Sequence, residues 1–391
     1  MNEVKEIQGP YGPFSLSERV VQWIWACLIP RDADYLTVSQ KPLRILHPGK
    51  WNRHEGPDFL GAEFEIDGQS IQADVEVHFE VADWMRHEHQ FDPHFNRVGL
   101  HVVLFPPPAT GRPAFTSDGE CPDTFCLLPY LESDLESYAE AYALQADPER
   151  QSPALAALEQ LGKGQRLQTV YEAAVQRWQQ KQSHHAHMLE QYSPQAIVHY
   201  RTLEVLGYKR NRHPMRLLAE TYTPEQILTH SIDTLIHSQQ THWKRAGLRP
   251  ANRPEKRLEQ YRELLQRERS WWKDAYSLLD ELAKTSHARR HLSTKTFRKE
   301  VKWQQRSNDW QQQILKGCIP RNRALNLLLD FAMPYFTARS GSSLQEMWFH
   351  TPAGDIPEQL KQMARTLELT SSEYPLSNGI IQGLLQLVYT E

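Results

Sequence analysis

Alternation of apolar and acidic residues predicts a β-hairpin near the N-terminus. Apolar and acidic positions alternate in the second half of the run Phe59 to Ile66, and Asp67-Gly68 follows as a strong signal for a tight turn. Ile71 to Phe79 is expected to return antiparallel to the first strand. Val98 to Phe105 is almost wholly apolar, which is typical of a strand covered on both faces.

Further elements extend the hairpin into an α+β unit. Ser15-x-x-Glu18 has the spacing of a helix capping box, and Leu43 to His47 is a short strand-like run. The order is therefore helix, strand, hairpin, polar connection, strand. Prolines and glycines between Phe105 and Pro129 interrupt the apolar periodicity of strands and that of helices, and the chain then has a helical pattern almost to its end. We expect an α/β domain over residues 1–127 and an all-helical domain over residues 128–391.

The second hairpin strand carries three ionisable residues in one row. Side chains alternate along a strand, so Val75 and Val77 are expected to face a core while Asp74, Glu76 and His78 share the other face. Three such groups are costly to bury unless water, a metal or a substrate meets them. Two interpretations stay open, a solvated sheet face with ordinary alternation or a functional site.

Histidines are concentrated around this row. Imidazole and carboxylate together form a common metal-ligand set and suit acid–base chemistry near neutral pH. Carboxylates alone favour magnesium or manganese, whereas histidine ligands favour zinc, iron or manganese. His87-x-His89 would present both rings on one face only in extended backbone, and His101, on an apolar strand, is expected to be buried. Seven of the eighteen histidines lie here: His47, His54, His78, His87, His89, His94 and His101.

The composition is typical of a soluble intracellular protein. Hydrophobic residues make up 40% of the chain and charged residues 24%, the N-terminus is polar, and no apolar run is long enough to cross a membrane. The four cysteines lack the paired spacing of a zinc site, so reduced thiols are expected. We expect a cytoplasmic protein without membrane contact, of undetermined oligomeric state.

Positive charge is concentrated in the helical part. Residues 241–323 hold 21 Lys and Arg against nine Asp and Glu, although the whole chain has a net charge of −4. Tryptophans interleave with these basic residues, as in surfaces that bind phosphates and stack on bases. The alternative is a solvated bundle with core tryptophans and with arginines paired to glutamates. The tryptophans are Trp243, Trp271, Trp272, Trp303 and Trp310.

Three segments rich in arginine and asparagine are expected to form loops before helices. They span residues 208–212, 249–253 and 321–323, and Gly207 is expected to end the helix that Ser193-Pro194 opens. Backbone amides at helix starts favour anions, and neighbouring arginines add to that preference. The candidates for contacting nucleic-acid phosphates are Arg249, Asn252, Arg253, Arg210 and Arg212.

Two motifs together resemble the PD-(D/E)XK nuclease superfamily. Pro57-Asp58 enters one hairpin strand and Glu76-x-His78 lies on its partner. The superfamily has an acidic residue and then an acid-x-lysine at these places, which bind a divalent metal and the attacking water. The resemblance implies that Asp58 and Glu76 are metal ligands and that His78 takes the lysine position. Imidazole departs from the pattern, because it accepts a proton or binds a metal but does not supply a fixed charge.

A second resemblance covers nearly the whole chain. Its motifs are Gly56-Pro57-Asp58-Phe59, Asp74-Val75-Glu76-Val77-His78, Asp83-Trp84 with His87 and His89, Asn96-x-Val98-x-Leu100-His101-Val102-Val103, Gly207-Tyr208-x-x-Asn211 and Arg249-Pro250-x-Asn252-x-Pro254. These are similar to motifs of an uncharacterised bacterial family, domain of unknown function 2851. No activity is established for that family, so this resemblance points to residues and not to a reaction.

The sequence thus predicts an α+β protein, with a restriction-endonuclease-like sheet flanked by helices and then a mostly helical domain. The predicted function is metal-dependent phosphodiester hydrolysis of DNA or RNA, with Mg²⁺ or Mn²⁺ expected and Zn²⁺ as the alternative. Asp58 and Glu76 would hold the metal, with Asp74 as a third ligand or a support for the ligands, and His78 would orient or deprotonate the water. The residues expected around them are Glu55, His87, His89 and His101.

Two other functions stay open. One is a non-catalytic nucleic-acid-binding or assembly protein that keeps the nuclease framework without its lysine. The other is a metallohydrolase of small molecules that uses the histidine and carboxylate cluster.

Overall fold

The structure, a computed structural model of the chain, forms two compact units. One contains residues 1–6 and 15–132, and the other contains residues 7–14 and 133–391. The residues whose structure is described are 4–9, 12–27, 29, 33–52, 54–108, 113–131, 135–143, 153–238, 243, 245, 248–287, 293–354, 356 and 358–389.

The first unit is built on a mixed sheet, and its strands come from short apolar runs. The strands of the described chain are β1 Val4–Gly9, β2 Gly12–Ser17, β3 Asp34–Leu36, β4 Pro42–His47, β5 Lys50–Trp51, β6 Phe59–Ile66, β7 Gln69–His78, β8 Val98–Val103 and β9 Asp123–Cys126. In the seven-stranded sheet the order is β3-β4-β6-β7-β8-β9, with β5 beside β6, while β1 pairs with β2 in a sheet of their own. Strands β4, β6 and β7 pair antiparallel, whereas β7, β8 and β9 pair parallel.

The predicted hairpin is confirmed. Asp67 and Gly68 form its turn with φ of 52° and 77°, the left-handed conformation that two-residue hairpin turns require. Ile66 lies opposite Gln69, so β6 and β7 are joined by the shortest connection. This register brings the start of β6 beside the end of β7, where the ionisable row lies.

Helices cover the sheet before and after the hairpin. Helix α1 (Glu18–Cys27) precedes it, and α2 (Val81–Arg86) with two short 3-10 turns connects β7 to β8. A parallel strand pair requires such a crossover. The 3-10 turns, His89–Phe91 and Pro93–Phe95, lie within the stretch that the sequence marks as a polar connection.

Strand β9 was not predicted, because it lies in the region where prolines and glycines break the periodicity. It has four residues and pairs parallel to β8, with Leu100 opposite Asp123. Its side chain Phe125 is fully buried. The strand is therefore held by its neighbour and by core packing, neither of which is visible in four residues of sequence.

The second unit is helical, as expected. Its helices in the described residues are α3 Leu135–Ala143, α4 Pro153–Gln160, α5 Lys163–Gln191, α6 Pro194–Thr221, α7 Pro224–Thr229, α8 Ile232–His237, α9 Pro254–Arg267, α10 Trp271–His287, α11 Thr294–Glu300, α12 Trp303–Asp309, α13 Arg321–Leu327, α14 Met333–Ser340, α15 Gln345–His350, α16 Glu358–Thr366 and α17 Asn378–Tyr389. Two π-helical segments, Trp310–Ile314 and Leu328–Ala332, adjoin α12 and α14, and a 3-10 turn lies at Pro250–Asn252. Another 3-10 turn, Leu128–Tyr130, belongs to the first unit.

Helix α6 corrects one expectation. Ser193 caps its start as predicted, accepting a hydrogen bond from the N–H of Ala196, but Gly207 does not end it. A Cβ on Gly207 would lie 2.8 Å from the backbone of Arg212, so the glycine serves a close approach inside the helix. Residues 208–212 are therefore helix and not the predicted loop.

Candidate metal centre and active site

Asp58 and Glu76 interlock at the start of β6. The N–H of Asp58 donates to Glu76 Oε2 at 2.9 Å, and the N–H of Val77 donates to Asp58 Oδ2 at 3.0 Å. The amide of Gln22, on α1, donates to Asp58 Oδ1 at 2.7 Å. The two acids that the sequence places on neighbouring strands are thus brought together, and each of the two Asp58 oxygens already accepts a hydrogen bond.

Burial disfavours the charged form of both acids. It raises the pKa of Glu76 to about 8. Burial, and after it the charge of Glu76, raises the pKa of Asp58 well above its usual value. Two carboxyl groups that resist ionisation side by side become easier to ionise next to a cation.

His78 lies at the centre of a cluster of four histidines. Its Nδ1 is 2.9 Å from Nε2 of His101, and its Nε2 is 3.0 Å from Nδ1 of His87. The ring of His89 stacks on His78 with a centroid distance of 5.2 Å. Nitrogens of His78, His87 and His89 lie within 4.8 Å of one another.

A backbone reversal brings His87 and His89 to the same place. His87 ends α2, His89 begins the next 3-10 turn, and Glu88 between them has φ of 61° in the left-handed region. The expectation that the two rings would share a face only in extended backbone is wrong, because this turn reverses the chain locally. Non-glycine residues adopt such a φ at a cost, which the packing around the turn has to offset.

The carboxylate of Glu76 faces this cluster. Its Oε1 lies 3.4 Å from Nε2 of His78 and 3.2 Å from Nε2 of His89, while its Oε2 is held by the N–H of Asp58. One oxygen of Glu76 therefore fixes the orientation of the other. Glutamate and histidines together present one oxygen and several nitrogens to a single small region.

Aromatic residues wall the cluster. His89 stacks on Phe95 with ring centroids 3.8 Å apart, and Trp84 packs edge-on to His89 at 5.4 Å and against His101 at 5.2 Å. Trp84 is itself anchored, since its Nε1 donates to the carbonyl of Phe115 at 2.9 Å. Burial lowers the pKa of His89 to about 4 and that of His101 to about 3, so both rings are neutral at pH 7.

The ionisable row on β7 is buried, so the solvated-face interpretation is wrong. Asp74 is 5% exposed, Glu76 6% and His78 1%. Asp74 Oδ1 accepts a hydrogen bond from the N–H of Gly61 at 2.8 Å, where β6 has an irregular register, and its Oδ2 lies 3.8 Å from Arg97 Nε. These contacts suit support of the β6 backbone better than metal ligation.

Other predicted residues lie outside the cluster. Glu55 is exposed. Its backbone carbonyl accepts a hydrogen bond from the side-chain amide of Asn52. His47, His54 and His94 are exposed as well. Gln22 is a contact of Asp58 that the sequence did not indicate, because a helical glutamine has no pattern that reveals its partner in the sheet.

The candidate nucleic-acid contacts differ in exposure. Arg249 and Arg253 are exposed and flank the 3-10 turn that precedes α9, as predicted. Asn252 is partly buried and accepts a hydrogen bond from Arg257 at 2.6 Å. Arg212 lies within α6 with its side chain 16% exposed, and the side chain of Arg210 lies outside the described residues.

The tryptophans of the basic stretch belong to the helical core. Trp271 and Trp310 are 1% exposed, Trp243 and Trp303 8%, and Trp272 packs against the same core. Several basic residues pair with acids within a helical turn, for example Arg267 with Glu263. The bundle interpretation therefore describes these tryptophans, and they do not form a stacking surface.

Fold and site together define an α+β protein with a buried carboxylate and histidine cluster on its sheet. The chain belongs to the family described as a protein of unknown function, DUF2851, whose model matches residues 18–239. No curated protein and no solved structure matches the chain. Within the described residues, no helix has the length and apolarity needed to cross a membrane.

Glu76→Gln is expected to stabilise the metal-free protein, and increasingly so as pH rises. A raised carboxyl pKa in the folded state means that the native state loses stability between the ordinary value of 4.5 and about 8. Glutamine does not titrate, so the free energy of unfolding of the variant should exceed that of wild type by an amount that grows by about 2 kcal/mol from pH 5 to pH 7. Urea unfolding in EDTA at both pH values measures it.

The matched control is Glu63→Gln, an exposed carboxylate on β6, for which we expect less than about 0.5 kcal/mol at either pH. A Glu76→Gln protein that is less stable than wild type by the same amount at both pH values would contradict the raised pKa.

Proposed function

We propose that this protein hydrolyses phosphodiester bonds of nucleic acid with a divalent metal ion at the cluster around Glu76. The observation that carries the proposal is the joining of Asp58 to the Glu76-x-His78 strand. Asp58 donates from its N–H to Glu76 and accepts from the N–H of Val77. The acid of one strand and the acid-x-histidine of the next therefore meet at one edge of the hairpin, as the nuclease resemblance implies.

The order of elements supports the same proposal. Between α1 and α2 lie three neighbouring antiparallel strands, β4, β6 and β7, together with the short strands β3 and β5, and a crossover through α2 leads to the parallel strand β8. The resemblance implies this order of helix, strand, hairpin, connection and strand. A restriction-endonuclease-like sheet is thus part of the proposal.

The chain's own groups hold and orient the reacting centre. A bound divalent metal would lower the pKa of a coordinated water and stabilise charge on the phosphate. Glu76 Oε1 would hold the metal, since Oε2 is fixed by Asp58, and Asp58 adds a second carboxylate beside it. His78 can act here as ligand or as base. Its distances of 3.4 Å to Glu76 and 3.0 Å to His87 favour the ligand role.

Exposed arginines in the second unit are the proposed contacts to nucleic-acid phosphates. Arg249 and Arg253 flank the 3-10 turn just before α9, and backbone amides at a helix start together with positive side chains favour anions. The buried tryptophans leave this binding to charge alone, so it should be weak in sequence preference and strongly dependent on salt.

A cleavage assay on metal-stripped full-length protein tests the proposal. Single- and double-stranded DNA and RNA are incubated with Mg²⁺, Mn²⁺ or Zn²⁺ in turn, with EDTA as the blank. We expect cleavage of at least one substrate that requires metal and that Glu76→Gln loses. Absence of cleavage for every substrate and metal, with metal shown to be bound, would overturn the proposal.

Charge reversal of the arginine pair should weaken binding of nucleic acid. Each lost phosphate contact removes about 0.7 to 0.9 from the slope of log affinity against log salt, so Arg249→Glu with Arg253→Glu should flatten it by about 1.5. Fluorescence anisotropy on a catalytically silent Glu76→Gln background measures this change. Arg365→Glu, at an exposed arginine on α16, is the control, and equal slopes for both variants would rule out the pair as the contact.

A second candidate, hydrolysis of a smaller substrate, is favoured by the number of histidines at the site. Three rings converge beside one carboxylate, a donor set common among zinc hydrolases. Cleavage of a chromogenic phosphodiester or ester without cleavage of any nucleic acid would favour this candidate.

A further inference from the structure

Four side chains from two segments direct donor atoms to one point. Glu76 and His78 come from β7, and His87 and His89 come from the turn after α2. Three separations between donor atoms are short: 3.0 Å from His87 Nδ1 to His78 Nε2, 3.4 Å from His78 Nε2 to Glu76 Oε1, and 3.2 Å from Glu76 Oε1 to His89 Nε2.

These separations match the edges of a coordination tetrahedron. Zinc bonds to nitrogen and oxygen are about 2.0 to 2.1 Å, which places neighbouring ligands of a tetrahedral ion about 3.3 Å apart. Nitrogens of the three histidines lie within 4.8 Å of one another, so the separations among the histidines need to contract by no more than about 1.5 Å around an ion with these bond lengths. The three short separations join the four donors in the order His87, His78, Glu76 and His89. A cation bound between them would contact all four.

We propose that Glu76, His78, His87 and His89 form a four-ligand site for a transition metal of the zinc type. Three imidazoles and one carboxylate suit zinc, iron or cobalt, whereas magnesium prefers oxygen ligands and water. We place Asp58 beside the ligands and not among them, since its oxygens are directed at the amide of Gln22 and the N–H of Val77 and its own N–H holds Oε2 of Glu76. The inference gives the metal class for the proposed hydrolase, in which the attacking water would bind as a fifth ligand. The site itself does not depend on the substrate being nucleic acid.

His101 acts as a positioning residue for His78. Ligation through Nε2 of His78 requires the proton of that ring on Nδ1, and Nε2 of His101 lies 2.9 Å away as the acceptor. Such a hydrogen bond fixes the tautomer and the ring orientation of a metal ligand. His101 is fully buried on β8, so the sheet holds the acceptor in place before any metal arrives.

The walls of the site restrict the rings further. His89 is stacked between His78 and Phe95, at centroid distances of 5.2 and 3.8 Å. Trp84 packs against His89 and His101. Ligands whose rotamers are fixed by packing lose little entropy on binding, which raises affinity.

Titration of the metal-stripped full-length protein with Co²⁺ tests the site, because tetrahedral cobalt absorbs visible light far more strongly than octahedral cobalt. We expect an intense visible spectrum that saturates at one ion per chain and is displaced by Zn²⁺. His87→Ala and His89→Ala should each weaken Co²⁺ and Zn²⁺ binding by more than about 100-fold, and His101→Gln by about 10- to 100-fold with the tetrahedral spectrum kept.

The matched control is His94→Ala. His94 lies in the same segment, is exposed and contacts Asp92, so its removal should leave the titration unchanged. Thermal unfolding in EDTA checks that each variant is folded; a variant that is not folded is replaced by the glutamine substitution at the same position. A weak octahedral spectrum, or binding that survives both His87→Ala and His89→Ala, would overturn the site.

The outcomes separate the site from the proposed function. Tetrahedral binding by a protein that cleaves no nucleic acid would uphold the site and overturn the nuclease. Magnesium-dependent cleavage by a protein that binds neither Co²⁺ nor Zn²⁺ would uphold the nuclease and overturn the site.

Discussion

Replacing Glu76 by glutamine should reduce metal-dependent cleavage by about 1,000-fold or more. Glu76 is the carboxylate that the structure places between Asp58 and the histidines, with Oε2 fixed and Oε1 directed at the cluster. An amide keeps the shape of the side chain and an oxygen for the N–H of Asp58, but it removes the negative charge that holds a cation. Loss of one such electrostatic group costs about 100- to 1,000-fold in turnover, and loss of the metal adds to it.

Single-turnover cleavage at saturating metal measures this effect, with Glu63→Gln on the same hairpin as the control. Asp58→Asn should behave similarly but less severely, because Gln22 can reverse its own amide to meet the new group. Cleavage by Glu76→Gln at a wild-type rate would show that this carboxylate takes no part in the reaction.

His78→Ala should weaken metal binding by more than about 100-fold and lower cleavage in parallel. His78 contacts His87, His101 and Glu76, so it joins the donors of the cluster to one another. The variant His78→Lys should not rescue either property, although lysine is the residue that the nuclease resemblance implies at this position. An ammonium group has no lone pair for a metal and would place a positive charge beside it.

Metal affinity and cleavage measured on both variants distinguish the two roles of His78, with His47→Ala as an exposed control. If His78 were a base rather than a ligand, His78→Ala would bind metal normally and lose only turnover, by about 10²- to 10⁴-fold. Active His78→Lys with unchanged metal affinity would contradict the ligand role directly.

The sequence predicted the hairpin because a short-range signal determines it, whereas the meeting of its two acids was expected only from the nuclease resemblance. Asp67-Gly68 specifies the turn, and the turn sets the register from Ile66 to Ala62. An irregularity between Phe59 and Ala62 then shifts the pairing, so that Phe59 lies opposite Val75 and Asp58 lies beside Glu76. Alternation did not reveal that both faces of β7 are covered. That covering depends on α2 and the turns after it, whose placement follows from tertiary packing.

The histidine cluster was predicted in part. Proximity in sequence suggested that His87 and His89 belong near His78, but the positive φ of Glu88 that turns both rings inward has no signal in a glutamate. His101 was predicted to be buried, which is confirmed. Its ring contacts His78, a pairing set by the parallel register of β7 and β8, with Glu76 opposite His101.

In the helical unit, single glycine and proline residues predicted the helix ends poorly. Glycine commonly ends a helix, yet Gly207 lies inside α6, and Pro214 lies within the same helix. Composition also suggested a stacking surface, but Trp271 and Trp310 are buried. Both errors arise because packing against other helices outweighs the preference of a single residue.

Joint titration of bound metal and cleavage rate tests the central claim most directly. The metal-stripped chain is supplied with increasing amounts of one divalent ion, and bound metal and single-turnover cleavage of nucleic acid are measured on the same samples. The account predicts no cleavage without metal and a rate that rises in proportion to bound metal, saturating at one ion per chain. Cleavage that persists in EDTA, or a fully loaded protein that cleaves nothing, would contradict it.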